Sequence, residues 1–386
     1  MEMEEDFWGV LKSQNEAYPD ILLNKNVTRI GRGYQSFLET KTVISFNHFT
    51  VKKDFPSIGH VYLVDSSTNG TFINHNRCND SSEIYCYDEI TMCQPLSSVA
   101  ISYMFIDKRV ELEDMKSSGI QYDYFIGRYI NGNEQYIRRA LVKKDSFQKE
   151  ELLVKIIRKK IFPINMKEIN TLQSIDSPYI VKLLKTIITN NHIFLITPFL
   201  KGGTLCHRLF YQPFKAKDIQ FIIYQILKAI QYLQKKHIIH RRINPQTIIF
   251  ESEDSLSLKL ADFSFSRRID ETRLASTYCD SDYLIAPEII QSIVNKKPYY
   301  AERVDIWSTG VLMYMMAHNK YPKVLKNYPF INTTESIFQE DLPSNPTEFE
   351  MYQEDLINKM MFIDPFQRPS AEQCFSHPYF TKFQFN

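Results

Sequence analysis

The stretch HIIHRRINPQTIIFESEDSLSLKLADFSFS, residues 237–266, decides the fold of the larger part of this 386-residue chain. It follows KDIQFIIYQILKAIQYLQKK (217–236), in which apolar residues recur at spacings of three and four, as on the buried face of an amphipathic helix. Between about residue 122 and residue 199 the apolar runs are strand-like instead. The sequence therefore predicts a small β-rich lobe followed by a larger helical lobe.

The first third of the chain has a different texture. Between about residues 20 and 108 short apolar stretches alternate with turn residues, which is typical of an all-β domain. In HVYLVDSSTNGTFIN (60–74) two strand-like runs flank Asn69-Gly70, so we expect a hairpin there with Gly70 at positive φ. The segment RVELEDMKSSG (109–119) is charged and has no apolar periodicity, so it is the predicted linker.

Composition indicates an ordinary globular protein of about two domains. Hydrophobic residues make up 44% and charged residues 24%, and 46 basic against 45 acidic side chains leave a formal net charge of +1. This balance does not favour nucleic acid or a membrane as a partner. No apolar run reaches the roughly 18 residues that span a bilayer. The opening MEMEEDFWGVLK is acidic, unlike a secretory signal.

Cysteine usage indicates the compartment. Six cysteines are scattered along the chain without CxxC pairs, which argues against a zinc site or a disulfide framework. They are Cys78, Cys86, Cys93, Cys206, Cys279 and Cys374. Free thiols are the norm in a reducing compartment, so we expect the nucleus or the cytoplasm.

Three short clusters in the all-β stretch carry a specific resemblance. They are Ile30-Gly31-Arg32, Ser45-Phe46-Asn47-His48 and Ser67-Thr68-Asn69-Gly70-Thr71, the last followed by Asn74. In this order they resemble the forkhead-associated (FHA) domain, a β-sandwich whose loops bind phosphothreonine peptides. The resemblance covers roughly residues 8–108 and implies a phosphothreonine-containing protein as partner.

The residue types in these clusters fit a phosphate ligand. A phosphate with a charge of about −2 needs a cation and several hydrogen-bond donors on rigid loops. Arg32 supplies a permanent charge and Ser45 a hydroxyl, while Thr68 and Asn69 add side-chain donors near the peptide backbone. The resemblance implies these four as the phosphopeptide-binding residues. The alternative for Arg32 alone is a solvated surface charge.

Two other residues of the clusters have different expected roles. The resemblance implies that His48 braces its loop from within rather than contacting the ligand. Phe46 departs from the FHA pattern, which often has a polar residue there that helps to hold the peptide or the phosphate. We therefore expect affinity or peptide preference to differ from that of typical members.

The rest of the chain, from about Tyr122 to Phe380, carries a second set of motifs. They are LLVKII with Lys155, NMKEINTLQSIDSPYIVKLL with Glu168, FLKGGTL, HIIHRRINPQTIIF, LADFSFS, IAPEII, VDIWSTGV and IDPFQRPSAEQCFSHPYF. The set resembles the eukaryotic protein-kinase domain, here over residues 120–380. It implies that Arg368 pairs with Glu288. The predicted fold class is an all-β FHA sandwich (8–108) followed by an α+β two-lobed protein-kinase fold.

The order of FHA domain, linker and kinase domain is similar to that of the checkpoint-effector kinases of the DNA-damage response. These belong to the calcium/calmodulin-kinase-related group, which the second half of the chain resembles. The resemblance implies a serine/threonine protein kinase fold and a role in checkpoint signalling and the cell cycle.

The catalytic loop departs from the kinase pattern at three positions. Arg242 stands where the family has the aspartate that accepts the substrate's proton, and an arginine, protonated up to about pH 12, cannot act as a base. Asn244 replaces the lysine that steadies the transferring phosphate, and Thr247 replaces the asparagine that holds a second Mg²⁺. No intact catalytic set remains in this loop. The sequence favours a pseudokinase over an active kinase.

The residues for a nucleotide are partly retained. Lys155 and Glu168 match the pair that anchors nucleotide phosphates, and Asp262 matches the metal-binding carboxylate. In IGRYINGNEQYIRRAL (126–141) only Gly132 and one other glycine are present, so the glycine-rich loop is incomplete. ATP and Mg²⁺ are the candidate cofactors of these residues. The alternative is that Lys155 and Glu168 only form an ion pair that fixes their helix, with no ATP bound.

Three functions stay open at this point. The first is a phosphothreonine-binding protein whose kinase-like domain is a signalling scaffold or regulator. The second is a divergent ATP-dependent serine/threonine kinase that uses Asp262 or another carboxylate in place of the lost base. The third is self-association through a phosphorylated Thr272 or Thr277 in the activation segment, where 279–282 (CDSD) replaces the family's Cys-Gly-Thr-Pro.

Overall fold

The computed structural model describes most of the chain. The described ranges are 7–15, 17–54, 60–95, 97, 99–111, 114, 124–132, 136–143, 151–159, 166–211, 213–269, 274–275, 285–295, 299–300, 302–320, 322 and 346–383. The chain forms two compact units. The first is Met1–Ile164 with Leu183–Phe199, and the second is Asn165–Lys182 with Leu200–Asn386.

The first unit begins with an all-β sandwich. Its strands are β1 (Gly9–Ser13), β2 (Ile21–Leu23), β3 (Val27–Ile30), β4 (Phe49–Lys53), β5 (Val61–Asp65), β6 (Thr71–Ile73), β7 (Asn76–Arg77), β8 (Ser81–Glu83), β9 (Glu89–Met92) and β10 (Ile101–Asp107), with a short 3-10 helix at Ser36–Leu38. One sheet has the order β2-β1-β10-β9-β6-β7 and the other β3-β4-β5-β8. The strand pairs of both sheets are antiparallel.

Alternation of apolar and polar residues places the core between these sheets. In β4, Phe49 and Val51 point inward and are fully buried, and Leu63 of β5 does the same. They pack with Leu11 of β1 and Phe105 of β10 in one cluster. Because the side-chain period of a strand is two, these residues lie on one face of each sheet, and the two faces meet in this core.

The Asn69-Gly70 turn differs from the predicted hairpin. Gly70 has the expected positive φ of 87°. The flanking strands do not pair, however, because β5 lies in one sheet and β6 in the other, so the hairpin prediction is wrong. The carboxylate of Asp65 accepts hydrogen bonds from the hydroxyls of Ser67 and Thr71, each at 2.7 Å. These bonds close residues 66–70 into a compact loop, which carries the chain from one sheet to the other.

A third sheet of the first unit follows in the kinase-like part of the sequence. Its strands are β11 (Tyr124–Gly132), β12 (Tyr136–Lys143), β13 (Glu151–Arg158), β14 (Lys185–Ile188) and β15 (His192–Pro198). The order is β11-β12-β13-β15-β14, with antiparallel pairing throughout. In β13 the apolar residues Leu152, Val154 and Ile156 are buried.

The sandwich and this five-stranded sheet share one apolar core. Ile106 of β10 and Tyr87 pack with Val154 of β13 and with Phe194 of β15. The Tyr87 and Phe194 rings meet edge to face, with centroids 6.0 Å apart. The two sheets of different modules therefore bury apolar surface against each other, as the layers of a single domain do.

A buried carboxylate lies beside this shared core. Asp114, 0% exposed, accepts hydrogen bonds from the Thr189 hydroxyl at 2.6 Å and from His192 Nδ1 at 2.8 Å. The Tyr87 hydroxyl lies 3.4 Å from the same carboxylate. Asp114 belongs to the predicted linker (109–119), whose described residues 109–111 and 114 are helical. The linker thus contributes a buried polar anchor, although its predicted bounds stay predictions.

A buried ion pair also joins the two modules. Arg158 at the end of β13 pairs with Asp88, and its guanidinium lies over the Tyr85 ring at 5.0 Å. Asp88 also accepts from Asn74 Nδ2 at 2.6 Å, so it ties the loop after β6 to the same site. A buried charge is costly unless it is paired and hydrogen-bonded, and here the two charges pair with each other while Asp88 accepts a further hydrogen bond.

The second unit is mostly helical. Its helices are α1 (Met166–Gln173), α2 (Leu205–Tyr211), α3 (Ala216–Lys235), α4 (Pro287–Asn295), α5 (Val304–His318), α6 (Glu348–Met360), α7 (Ala371–Phe375) and α8 (Pro378–Thr381). Its short strands are β16 (Ile238–Ile239), β17 (Ile248–Phe250), β18 (Leu258–Leu260), β19 (Arg267–Arg268), β20 (Leu274–Ala275) and β21 (Tyr299–Tyr300). None of the helices in the described part of the chain has the length and apolar character to cross a bilayer.

Two features of this unit lie at the ends of its helices. The long helix α3 buries one face and ends just before His237, whose φ of 55° turns the chain into the loop. Arg368 makes two hydrogen bonds of 2.6 Å to the Glu288 carboxylate, as the sequence predicts. This bidentate pair is buried and fixes the first turn of α4, which contains Glu288.

Replacing the buried carboxylate should loosen both modules of the first unit. Asp114→Ala leaves the His192 and Thr189 donors without this acceptor, which costs about 3 kcal/mol of unfolding free energy in urea titrations. Because the contact joins sandwich and sheet, amide hydrogen exchange should rise in both β10 and β15. The control is Asp176→Ala, whose side chain is 85% exposed. Faster exchange in β15 alone would show that the two modules open separately.

Candidate functional site

The first candidate site lies on the loops of the sandwich that carry Arg32 and Ser45. Arg32 follows β3, and its backbone N–H donates to the Ser45 carbonyl at 3.2 Å. A Cβ at Gly31 would lie 2.6 Å from the His48 nitrogen, so glycine permits this close approach of the two loops. The Arg32 side chain is exposed and makes no hydrogen bond or ion pair with a described residue. A free guanidinium therefore stands beside the Ser45 loop.

Ser45 and Thr68 come together although they are 23 residues apart in sequence. The Thr68 N–H donates to Ser45 Oγ at 3.0 Å, and the two hydroxyl oxygens are 3.5 Å apart. Asn69 donates one amide hydrogen to the Val43 carbonyl at 2.8 Å, which leaves its second hydrogen for a ligand. The structure thus brings Ser45, Thr68 and Asn69 to one edge of the sandwich. Arg32 is connected to this edge by the hydrogen bond from its backbone N–H to the Ser45 carbonyl.

His48 is a buried brace for this edge. Its Nδ1 accepts from the Ser45 N–H at 3.1 Å, so Nε2 carries the proton and donates to the Gly70 carbonyl at 3.2 Å. Burial lowers the pKa of His48, although the bond to Gly70 opposes the shift. The neutral imidazole therefore links the Ser45 loop to the Gly70 turn, the structural role that the sequence predicts.

Asp65 is a further residue of this site, and sequence reasoning missed it. Burial alone would raise the pKa of its carboxyl, but hydrogen bonds from Ser67 and Thr71 outweigh burial and lower it. An ionised Asp65 thus orders the loop that presents Thr68 and Asn69. The available sequence signal was an aspartate at the end of a strand, followed closely by Ser and Thr.

Phe46, the departure from the FHA pattern, lies on the surface of the same edge. Its side chain is 59% exposed, and its ring centroid is 5.8 Å from that of Tyr34, itself 44% exposed. A Cβ at Gly33 would lie 2.4 Å from the Phe46 ring, so this glycine lets the ring rest on the backbone. An aromatic surface therefore adjoins Arg32 where the family often has a polar residue.

The second candidate site is the catalytic loop of the helical unit. The Asp305 carboxylate accepts from the backbone N–H groups of His240 and Arg241, each at 2.8 Å. The His240 ring packs edge to face on Phe263 with centroids 4.7 Å apart. Burial lowers the pKa of His240, so its imidazole stays neutral in the core. These contacts fix the backbone from which residue 242 projects.

Arg242 lies next to Asp262. Its Nη1 is 3.3 Å from Asp262 Oδ2, and its guanidinium lies over the Phe265 ring at 4.9 Å. Ser264, which replaces the family's glycine, donates its hydroxyl to Asp262 Oδ1 at 2.5 Å. Both carboxylate oxygens of Asp262 therefore have partners from the protein, and the residue at the base position supplies one of them.

Asn244 and Thr247 are turned into the loop itself. The Asn244 side-chain oxygen accepts from the backbone N–H groups of Gln246 and Thr247 at 2.9 and 3.1 Å. The Thr247 hydroxyl oxygen lies 3.0 Å from the Arg242 carbonyl and accepts from the Asn244 N–H at 3.1 Å. Both side chains are buried, so they serve as loop braces.

These donors do not fit the Mg²⁺ that the kinase fold implies. Magnesium needs near-octahedral oxygen coordination at about 2.1 Å, through carboxylates that face the ion. Asp262 faces a guanidinium and a hydroxyl, and the Thr247 hydroxyl is engaged by loop backbone. Among the residues that the structure describes, no group of three or more His, Cys, Asp or Glu could hold a metal ion. Asp262 as a metal ligand stays a prediction that this geometry does not support.

The candidate nucleotide residues are only partly described. Lys155 is buried on β13, in the first unit. Gly132 ends β11, opposite Ile137 of β12. Glu168 lies on α1 in the second unit, but its side chain is outside the described residues, so the Lys155–Glu168 pair stays a prediction. Thr272, Thr277 and residues 279–282 also lie outside the described part of the chain.

Comparison with protein families identifies the chain. It matches the family described as Protein kinase domain over residues 140–380, which is more than half of its 386 residues, and the FHA domain family over residues 28–93. The chain belongs to the protein kinase family, as a member with an FHA domain before the kinase domain. The predicted fold class is confirmed.

Its relatives narrow this class to the FHA-containing kinases. The chain is 29% identical to the probable serine/threonine-protein kinase fhkE of Dictyostelium discoideum over 97% of its own length and 54% of the relative's. For fhkC of the same organism the values are 27%, 98% and 65%. For the serine/threonine-protein kinase cds1 of Schizosaccharomyces pombe they are 26%, 83% and 73%. The chain therefore spans between 54% and 65% of the two Dictyostelium relatives.

One solved structure shows the same fold. The crystal structure of Rad53 1-466 in complex with AMP-PNP aligns with a TM-score of 0.52 and 22% identity, over 97% of this chain and all of that one. At this identity the likeness shows the fold alone. The family matches and these relatives confirm the predicted resemblance to serine/threonine kinases that carry an FHA domain.

Protonation of His48 should weaken the first site as the pH falls. Since its folded pKa is below the ordinary 6.5, the unfolded chain binds more protons between the two values. The stabilisation is complete above about pH 6.5 and is lost as the pH falls through the folded pKa. Urea unfolding of wild type and His48→Gln at a series of pH values measures this, and the difference isolates His48 because His240 contributes to both proteins. Parallel curves for the two proteins would contradict the prediction.

Proposed function

We propose that this protein is a phosphothreonine reader whose kinase-like domain transfers no phosphate and acts as a signalling scaffold or regulator. The observation that carries the second half of the proposal is the Arg242–Asp262 pair. Phosphoryl transfer needs a group that accepts or orients the hydroxyl proton of the substrate, and a guanidinium has no acceptor site. The position of the base is thus filled by a cation bound to a neighbouring carboxylate.

The rest of the catalytic loop supports the same conclusion. Asn244 and Thr247 are hydrogen-bonded to loop backbone and buried, so neither is directed at a substrate phosphate. Restoring one group would not rebuild the transfer machinery, since the functional groups of a catalytic loop act together. Asp305 and His240 keep the backbone of the loop in its kinase-like conformation. Their role is structural and not catalytic.

The reader half of the proposal rests on the sandwich edge. Arg32 offers a guanidinium that is unpaired among the described residues, and Ser45, Thr68 and Asn69 offer donors beside it. A phosphothreonine would supply about two negative charges and three acceptor oxygens to this set. The Phe46 ring is exposed next to Arg32. We therefore expect a preference for peptides with an apolar side chain near the phosphothreonine.

The cellular setting follows from the relatives and the cysteines. Resemblance to the checkpoint kinases supports a role in DNA-damage signalling, in the nucleus or the cytoplasm. The five cysteines in the described residues carry free thiols, as in a reducing compartment. ATP stays a candidate ligand of Lys155 and its neighbours, a proposal that the protein kinase family supports.

Loss of the Arg32 charge should weaken phosphate recognition without unfolding the sandwich. Arg32→Ala removes a charge-assisted contact, so we expect phosphothreonine peptides to bind about 10- to 100-fold more weakly. Fluorescence anisotropy with a phosphothreonine peptide library and its unphosphorylated twin measures this. The exposed Arg268→Ala is the matched control and should bind as wild type does. Equal binding of phosphorylated and unphosphorylated peptides by the wild type would refute the reader function.

Phosphate transfer should be undetectable in the wild type and appear when the three family residues return. The triple variant Arg242→Asp, Asn244→Lys, Thr247→Asn restores a base and its partners, and a general base alone contributes about 10²- to 10⁴-fold in rate. Transfer from radiolabelled ATP with Mg²⁺ to serine/threonine peptides is the measurement. Wild-type transfer that disappears in Asp262→Ala would make this chain the alternative, a divergent active kinase.

A further inference from the structure

The metal position of the kinase-like domain is filled by the protein's own side chains. In the kinase fold the carboxylate at residue 262 would face a divalent cation. Here Oδ2 faces the Arg242 guanidinium at 3.3 Å and Oδ1 accepts from Ser264 at 2.5 Å. A guanidinium and a divalent cation compete for the same carboxylate oxygens, because both are attracted by its negative charge.

Arg242 is held in this position from several sides. The Phe265 ring lies under its guanidinium at 4.9 Å, and the Thr247 hydroxyl lies 3.0 Å from its carbonyl oxygen. Its side chain is 23% exposed and that of Asp262 10%, so the pair is shielded from water more than a surface ion pair is. Partial burial strengthens the attraction between the two charges and weakens screening by salt.

The ligand for a second metal ion is also engaged. The hydroxyl oxygen of Thr247 accepts from the Asn244 N–H at 3.1 Å and lies near two loop carbonyls. Threonine carries no negative charge that could offset the free-energy cost of dehydrating a small divalent cation. A metal ion entering this loop would have to displace Arg242 and break the hydrogen bonds of Thr247.

We infer that Arg242 permanently takes the place of the divalent cation, so that this kinase-like domain takes up neither Mg²⁺ nor Mn²⁺ at Asp262. The inference rests on the proposed function, a kinase-like domain that transfers no phosphate. It adds a physical reason for the lack of transfer. A phosphate group that reaches this loop meets a guanidinium, which can hold two phosphate oxygens at once, where an active kinase presents a metal ion.

The test uses the full chain and Mn²⁺ alone as the probe, so it needs no transfer activity. Arg242→Ala removes the guanidinium and frees the carboxylate for a metal. At roughly 10 mM Mn²⁺ we expect the unfolding temperature of Arg242→Ala to rise by about 2–4 °C, and paramagnetic broadening of the amide signals of residues 260–264. Wild type, Arg268→Ala and Arg242→Lys, which keeps the charge, should show neither effect.

The double variant Arg242→Ala, Asp262→Asn assigns the metal to this carboxylate and should lose both effects. Mn²⁺ broadening of residues 260–264 in the wild type, removed by Asp262→Asn, would overturn the inference. So would an Arg242→Ala variant that melts cooperatively but does not respond to Mn²⁺, because the arginine would then not be what excludes the metal. Transfer by the wild type in the ATP assay tests the proposed function separately.

Discussion

A charge that leaves water must find an opposite charge or hydrogen bonds inside the protein, and much of this structure depends on that constraint. In the first unit Asp114 finds His192 and Thr189, and Arg158 finds Asp88, where sandwich and sheet share a core. The apolar contact between sandwich and sheet is non-directional. Each of these polar pairs requires particular atoms to meet, so the pairs fix the orientation of one module on the other. In the second unit the buried Arg368–Glu288 pair fixes the first turn of α4 in the same way.

The same constraint explains the catalytic loop. An arginine at residue 242 would be an unmatched cation in a half-buried loop, and Asp262 would be an unmatched anion. Together they neutralise each other, with Phe265 and Ser264 completing the surroundings. In an active kinase the carboxylate of this loop is balanced by a metal ion and its nucleotide. Here the charge of Asp262 is balanced by Arg242 of the same loop. That balance supports the proposal of a stable scaffold over a transfer enzyme. The proposed phosphothreonine site at the sandwich edge does not depend on this loop.

Sequence reasoning succeeded where the determining residues are neighbours in the chain or belong to a motif. It predicted the sandwich, the helical lobe, the bracing role of His48 and the Arg368–Glu288 pair. It failed for the Asn69-Gly70 hairpin, because Asp65 folds the intervening residues into a longer loop that joins two sheets. It also missed Asp114 and Arg158, whose partners lie 75 and 70 positions away, since no local periodicity marks such contacts. Arg242 was recognised as a lost base, but its contact with Asp262 required the fold.

The shared core of sandwich and sheet also bears on how such chains diversify. Recombination between genes exchanges modules most readily where few contacts cross the junction. Here an apolar core, the hydrogen-bonded Asp114 carboxylate and the buried Arg158–Asp88 ion pair cross the junction, and a sandwich from another chain would lack the matching Tyr87 and Asp88. The two modules are therefore bound to change together, with a substitution on one side selecting its complement on the other. Because one buried surface joins them, we expect the sandwich and the five-stranded sheet to be inherited together rather than as separable modules.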